Sequence, residues 1–91
     1  MQQTLSITIT GKVQGVFFRQ SAKEKALELG LTGQVKNLGD GNVQILATGI
    51  DEQLAAFTDW CKKGPRRAVV TGVEITELPL KQFDHFTIVR F

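Results

Sequence analysis

Leu5, Ile7 and Ile9 alternate with Ser6, Thr8 and Thr10, the period of two that marks a strand with one buried face. The period then changes. Phe18, Ala22, Ala26 and Leu29 recur at helical spacing, and Gly30 supplies a stop just beyond the last of them. From Gly33 to Gly49 the pattern predicts a hairpin: a strand around Val35, a Gly-rich turn at Leu38 to Gly41, and a returning strand with Val43, Ile45 and Ala47 on one face. Asp51 is expected to cap a second helix that carries Leu54, Phe57 and Cys61 along one face with Trp60 beside them. That helix should end at Gly64 and Pro65. Val69 to Leu78 reads as a strand, Pro79 interrupts it, and Phe83 to Phe91 reads as another. Two helices must cover one face of the sheet that these strands make. The expected class is therefore α+β: a split β-α-β sandwich with two helices on one face of an antiparallel sheet of four to five strands.

The junction between the first strand and the first helix carries the densest local chemistry, in the run GKVQGVFFR from Gly11 to Arg19. The first N–H groups of a helix have no partners within it, and the positive end of the helix dipole stands behind them, so such junctions bind anions. Gly11 and Gly15 would let the loop reach backbone angles closed to other residues, so that successive N–H groups converge on one group. Arg19 would add a planar, permanently charged fork able to hold two phosphate oxygens. A plain strand-to-helix turn with a surface arginine is the bland alternative. Neither GxxxxGK[ST] nor a complete GxGxxG is present, so the familiar nucleotide loops do not apply. In the hairpin, Asn37 stands where the first strand meets the turn, and its amide could simply cap that turn.

Taken together, the two segments resemble the acylphosphatase family. The first signature of that family is matched by Gly11, Val13, Gln14, Gly15, Val16, Phe18 and Arg19, and the second by Gly33, Val35, Lys36, Asn37, Gly41, Val43 and Gly49. Gln34 departs from the pattern, where an aromatic is usual, and is expected to alter packing or the apolar rim of the site. The resemblance extends over essentially the whole chain, through the terminal FTIVRF, and implies a ferredoxin-like fold. It also assigns roles: Arg19 and Asn37 as catalytic residues, and the backbone N–H groups of Gln14, Gly15, Val16, Phe17, Phe18 and Arg19 as the phosphate cradle.

Composition narrows the setting. The 91 residues suffice for one domain, residues 1–91, around a single core. No apolar run is long enough to span a bilayer and no leader pattern opens the chain, so a cytoplasmic protein is expected. The single Cys61 suits a reducing compartment and a packing role. A net charge of +2 is too small to argue for nucleic acid or an anionic membrane. Lys62, Lys63, Arg66 and Arg67 read as a solvated basic edge near a helix C-terminus. His85 is the only histidine. With one Cys it offers no zinc ligand set, and Ser21 has no nearby base with which to form a triad. Asp40, Asp51 and Asp59 show no pairing of carboxylates, and the NVQILAT strand lacks the aromatic pair on which RNA bases would stack.

The chemistry implied by the resemblance is hydrolysis of an acyl phosphate to a carboxylate and inorganic phosphate, with neither metal nor cofactor. A carboxylate with a conjugate-acid pKa near ~4 leaves without a strong general acid. The protein then has to hold the phosphoryl group, neutralise its oxygens and place one water in line. Inorganic phosphate or sulfate should bind the same cradle, and a monomer is the default. Two other readings stand beside this one. The first is a non-catalytic phosphate- or carbamoyl-phosphate-binding module like the acylphosphatase-like domain at the start of hydrogenase-maturation carbamoyltransferases, in which case the chain should continue beyond Phe91 into zinc-binding segments. The second is a ferredoxin-like interaction module that performs no chemistry.

Overall fold

Alternation in the first ten residues becomes the centre of the sheet. In a computed structural model that describes residues 1–90, strand β1 (Gln2–Lys12) buries Ile7 and Ile9 completely on the helix-covered face. Helix α1 spans Phe18–Leu29 and places Phe18, Ala22 and Ala26 in the core, and the N–H of Gly30 closes it onto the carbonyls of Ala26 and Leu27. The hairpin follows as β2 (Thr32–Asn37) and β3 (Val43–Ile50). Helix α2 (Asp51–Lys63) buries Leu54, Phe57 and Cys61, and the chain continues through β4 (Val69–Leu78) and β5 (Phe86–Val89). Phe57 is fully buried and stacks on Trp60, with an edge contact to Phe86, so the second helix is fastened across the sheet by aromatic packing.

The strand order is β4-β1-β3-β2-β5. The first four strands are antiparallel, as the pattern predicts for a ferredoxin-like sandwich. The fifth is not: β5 pairs parallel with β2, matching Gly33 to Phe86 and Lys36 to Val89, so the sheet is mixed. The strand is also shorter than Phe83–Phe91, because residues 79–85 serve as a crossing from the β4 edge to the β2 edge, and Phe91 lies outside the described residues. Two further expectations are corrected. Gly11 belongs to β1 rather than to the loop; it sits at an irregularity in the pairing with β4, φ is 130°, and a Cβ there would overlap the Val69 carbonyl. The cap of α2 is Ile50, whose N–H donates to Gln53 Oε1 at 3.0 Å, and Asp51 falls in the first turn, where its charge suits the helix dipole.

The crossing is held to the open face of the sheet at Lys81. Thr4 and Thr48 are cross-strand partners there, buried at 1% and 2% exposure. Their hydroxyls lie 2.7 Å apart; Thr48 Oγ1 donates to the Lys81 carbonyl at 2.7 Å, and the Lys81 N–H donates to Thr4 Oγ1 at 2.9 Å. One consistent set of hydroxyl protons satisfies every member: Thr4 donates to Thr48, and Thr48 donates to Lys81. Thr48→Val, which keeps the shape, removes the 2.7 Å donor to the Lys81 carbonyl and leaves it only the longer contact with Thr4 Oγ1 at 3.3 Å. The expected loss is about 0.5–1.5 kcal/mol, seen in chemical denaturation as a lower midpoint at constant m, while Thr48→Ser retains most of the stability.

Candidate active site

Three strand ends define one end of the molecule. Strands β1 and β2 both run antiparallel to β3, so they point the same way, and Ile9 and Asn37 share Val43 as a cross-strand neighbour. Because β5 is parallel to β2, its C-terminal end arrives at the same level. Helix α1 begins there too. Between these termini lies a cavity of about 380 Å³, bounded by Gly15, Phe17 and Arg19 from the loop and helix start, Asn37 from β2, and Ile88 and Arg90 from the end of β5. No carboxylate lines it among the described residues, so Arg19, Arg90 and the helix N-terminus give it a positive field.

The loop is shaped for donors. Gly15 has φ of 73° and Phe17 of 61°, and the first helical hydrogen bond runs from the Ser21 N–H to the Phe17 carbonyl at 3.0 Å. The N–H groups of Phe18, Arg19 and Gln20 therefore precede the helical ladder, and among the described residues none from Gln14 to Gln20 donates to another group. Of the six residues expected to offer backbone donors, Gly15, Phe17, Phe18 and Arg19 line the cavity and Gln14 and Val16 do not. Arg19, next to the buried Phe18, has its guanidinium steered by β5: Nη1 donates to the Val89 carbonyl at 3.4 Å.

Asn37 follows the buried Val35 by two positions, so its side chain falls on the same helix-covered face. Its Oδ1 is buried without a hydrogen-bond partner among the described residues. The amide does not cap the turn. That work is done by the Leu38 N–H on the Asn42 carbonyl at 2.8 Å, by Asp40 Oδ1, which accepts from the Asn42 N–H at 3.0 Å, and by Gln14. Gln14 Nε2 donates to the carbonyls of Leu38 at 2.8 Å and Asn42 at 2.9 Å, tying the anion loop to the turn that follows Asn37.

Other residues singled out in the sequence fall elsewhere. Gln34 pairs with Leu46 and Thr87 on the open face and does not line the cavity, so its departure from the usual aromatic bears on open-face packing rather than on the rim. Cys61 is fully buried, and desolvation pushes its thiol well up, which keeps it protonated and inert. His85 is exposed, and its carbonyl accepts from the Gly33 N–H. Sequence reasoning did not find the side-chain role of Gln14 or the contributions of Ile88, Arg90 and the Val89 carbonyl. The only local signal for Gln14 is a polar amide inside an otherwise apolar loop.

Comparison with known proteins identifies the family. The profile of the acylphosphatase family fits residues 5–88, which include Arg19, Asn37 and the first part of β5. An acylphosphatase of Marinobacter nauticus is 54% identical over 76 residues, covering 84% of this chain and 83% of its own length. The structure of an acylphosphatase from Coxiella burnetii superposes with a TM-score of 0.94 at 40% identity, covering 97% of this chain and 93% of that one. The chain is also similar to part of T. kodakarensis HypF, with a TM-score of 0.79 at 40% identity over 97% of this chain and 12% of that one. Since the likeness runs through both strand-end segments and nearly the full sheet, the chain belongs to the acylphosphatase family.

Proposed function

We propose that acyl-phosphate hydrolysis takes place in this cavity by in-line attack of one water on phosphorus, with Arg19 holding the phosphoryl group and Asn37 orienting the water, and with no metal. The reaction class follows from the family: water and an acyl phosphate give a carboxylate and inorganic phosphate. In the proposed step, the water oxygen bonds to phosphorus, the bond from phosphorus to the acyl oxygen breaks, and its electron pair leaves with the carboxylate. The water proton passes to a phosphoryl oxygen. Donors from Gly15, Phe17, Phe18 and Arg19 surround the equatorial oxygens, and the Arg19 fork neutralises them as charge redistributes. Free phosphate or sulfate competes for the same donors.

One observation carries the reading: the buried, unpartnered Oδ1 of Asn37 shares the cavity with Arg19. An unpaired buried acceptor costs about 1–3 kcal/mol and calls for an explanation. A side-chain amide kept for the attacking water supplies it: a hydrogen bond between the two fixes which lone pair of the water faces phosphorus. A monomer is the proposed active unit. The buried, protonated Cys61 fits the proposed cytoplasmic setting.

Phosphate release from a small acyl phosphate, assayed with chelator present, tests these roles. Arg19→Ala should lower the rate by on the order of 10³ or more, and Arg19→Lys should not restore it, since an ammonium lacks the planar fork. Equal, near-background rates in parent and variant would leave the cavity as a binding site without turnover. Asn37→Ala should lower kcat by on the order of 10² to 10³ in a protein with unchanged circular dichroism; full activity there would end the water-orienting role. Gln14→Leu removes both donors at similar size and acts only through the placement of the two segments. Its kcat should fall by on the order of 10- to 100-fold, while the inhibition constant for inorganic phosphate, which reports on the loop alone, changes much less.

A further inference from the structure

Phe17 joins two unusual features at the mouth of the cavity. It is a large apolar side chain left 75% exposed, and it has the one positive φ outside glycine among the described residues, 61°. Left-handed backbone crowds the Cβ of an L-residue against the following carbonyl, which makes it uncommon for bulky side chains. Exposure to water gains an aromatic ring nothing. The neighbouring positions show cheaper solutions: Gly15 takes φ of 73° with no side chain to crowd, and Phe18 buries the next ring to 2% exposure. A disfavoured conformation held beside a reaction cavity points to a ligand contact.

The partners around the ring say which part of the ligand it meets. Arg19, Asn37 and the loop donors account for the phosphoryl group and the attacking water. Phe17 and Ile88 line the same cavity, and their side chains offer neither charge nor hydrogen bonds. The cavity volume of about 380 Å³ also far exceeds the ~30 Å³ that a water occupies, which leaves room beyond the phosphate for the remainder of the substrate. That remainder is the acyl group. We infer that Phe17 is a specificity-determining residue whose exposed ring, with Ile88, forms an apolar platform favouring acyl phosphates with an aromatic acyl group over acetyl phosphate. The inference rests on the hydrolytic reading above. Offset or edge-on packing of two rings adds to the burial of apolar area, so the ring is covered when substrate binds and exposed when it leaves.

The test compares kcat/KM for benzoyl phosphate and acetyl phosphate in the parent, Phe17→Ala, Phe17→Gly and Phe17→Tyr, together with Tm for each. Reading the ratio of the two substrates cancels any general change in the loop donors, and comparing it between parent and variant cancels the intrinsic difference between the leaving groups. The ratio should fall roughly tenfold or more in Phe17→Ala and Phe17→Gly and stay near the parent value in Phe17→Tyr. Tm of Phe17→Gly should equal or exceed that of the parent, because glycine suits the backbone angle and little packing is lost. An unchanged ratio in both truncations overturns the inference. So does a fall in ratio accompanied by a lower Tm in both, which would make the ring a structural brace. If the parent hydrolyses neither substrate, the hydrolytic reading fails and this inference with it; if it hydrolyses both and the ratio ignores position 17, only this inference fails.

Discussion

Two hydrogen bonds from a single nitrogen, Gln14 Nε2 to the carbonyls of Leu38 and Asn42, hold the two halves of the site in register. Arg19 stands in the first turn of α1, which packs on β2, and Asn37 ends β2; β1, which leads into the loop before Arg19, is separated from β2 by β3. Strand pairing sets the level of the two segments through Val43, and the buried Val13, Val16 and Phe18 seat the loop beyond β1 in the core. The Gln14 amide adds a direct tie between the loop and the turn across the end of the intervening strand. Its donors are satisfied by carbonyls and compete with no group that the reaction uses. Arg19 and Asn37 line one cavity, and in the proposed reaction a tie between their segments serves preorganisation.

How much of this the sequence discloses depends on the range of the interaction. Local periodicity is sufficient for β1, for the hairpin and for both ends of β4, because alternation and turn residues are contained within a few positions. Gly30 marks its helix end for the same reason. Arg19 and Asn37 stand out because each occupies a junction between elements, where a polar residue beside a glycine-bearing loop carries chemical meaning. Features that depend on distant partners do not show. The carbonyls that Gln14 meets are 24 and 28 residues away, and the one that Arg19 meets is 70 residues away. The direction of β5 is invisible for a similar reason: a four-residue apolar strand pairs either way, and the choice is made by the path of the chain before it. The left-handed angle at Phe17 runs against its residue type, so propensity points away from it.

The departures from ordinary stability rules gather at one end of the molecule. Unpaired N–H groups, an orphaned buried oxygen and a strained aromatic all belong to residues that line one cavity, while the opposite end of β1 carries a polar cluster in which every donor is matched. Each departure costs stability, and a chain of this size has little to spare. The costs are offset by a core in which Ile7, Ile9, Val35, Ile45 and Phe57 are fully enclosed and in which neither helix contributes a buried charge. Concentrating the unsatisfied groups on loop and strand ends keeps them off the sheet interior, where nothing could reach them.

The two ends are nevertheless mechanically joined. After β4 the chain stands at the edge of the sheet farthest from β2, and it reaches the β2 edge only by crossing the open face. Thr4 and Thr48 catch that crossing at Lys81, near the start of β1 and the end of β3 and away from the cavity. A chain caught there approaches β2 from the start of β2, and so must run alongside it in the same direction. That direction is what brings the Val89 carbonyl, Ile88 and Arg90 to the cavity rather than to the far end. An antiparallel β5 would deliver its N-terminal residues instead and leave the Arg19 guanidinium without its backbone acceptor. The mixed character of the sheet thus serves the proposed site: one parallel pairing at the edge, reached by a crossing that two buried threonines catch at the opposite end, supplies a wall of the cavity and a backbone acceptor for its arginine.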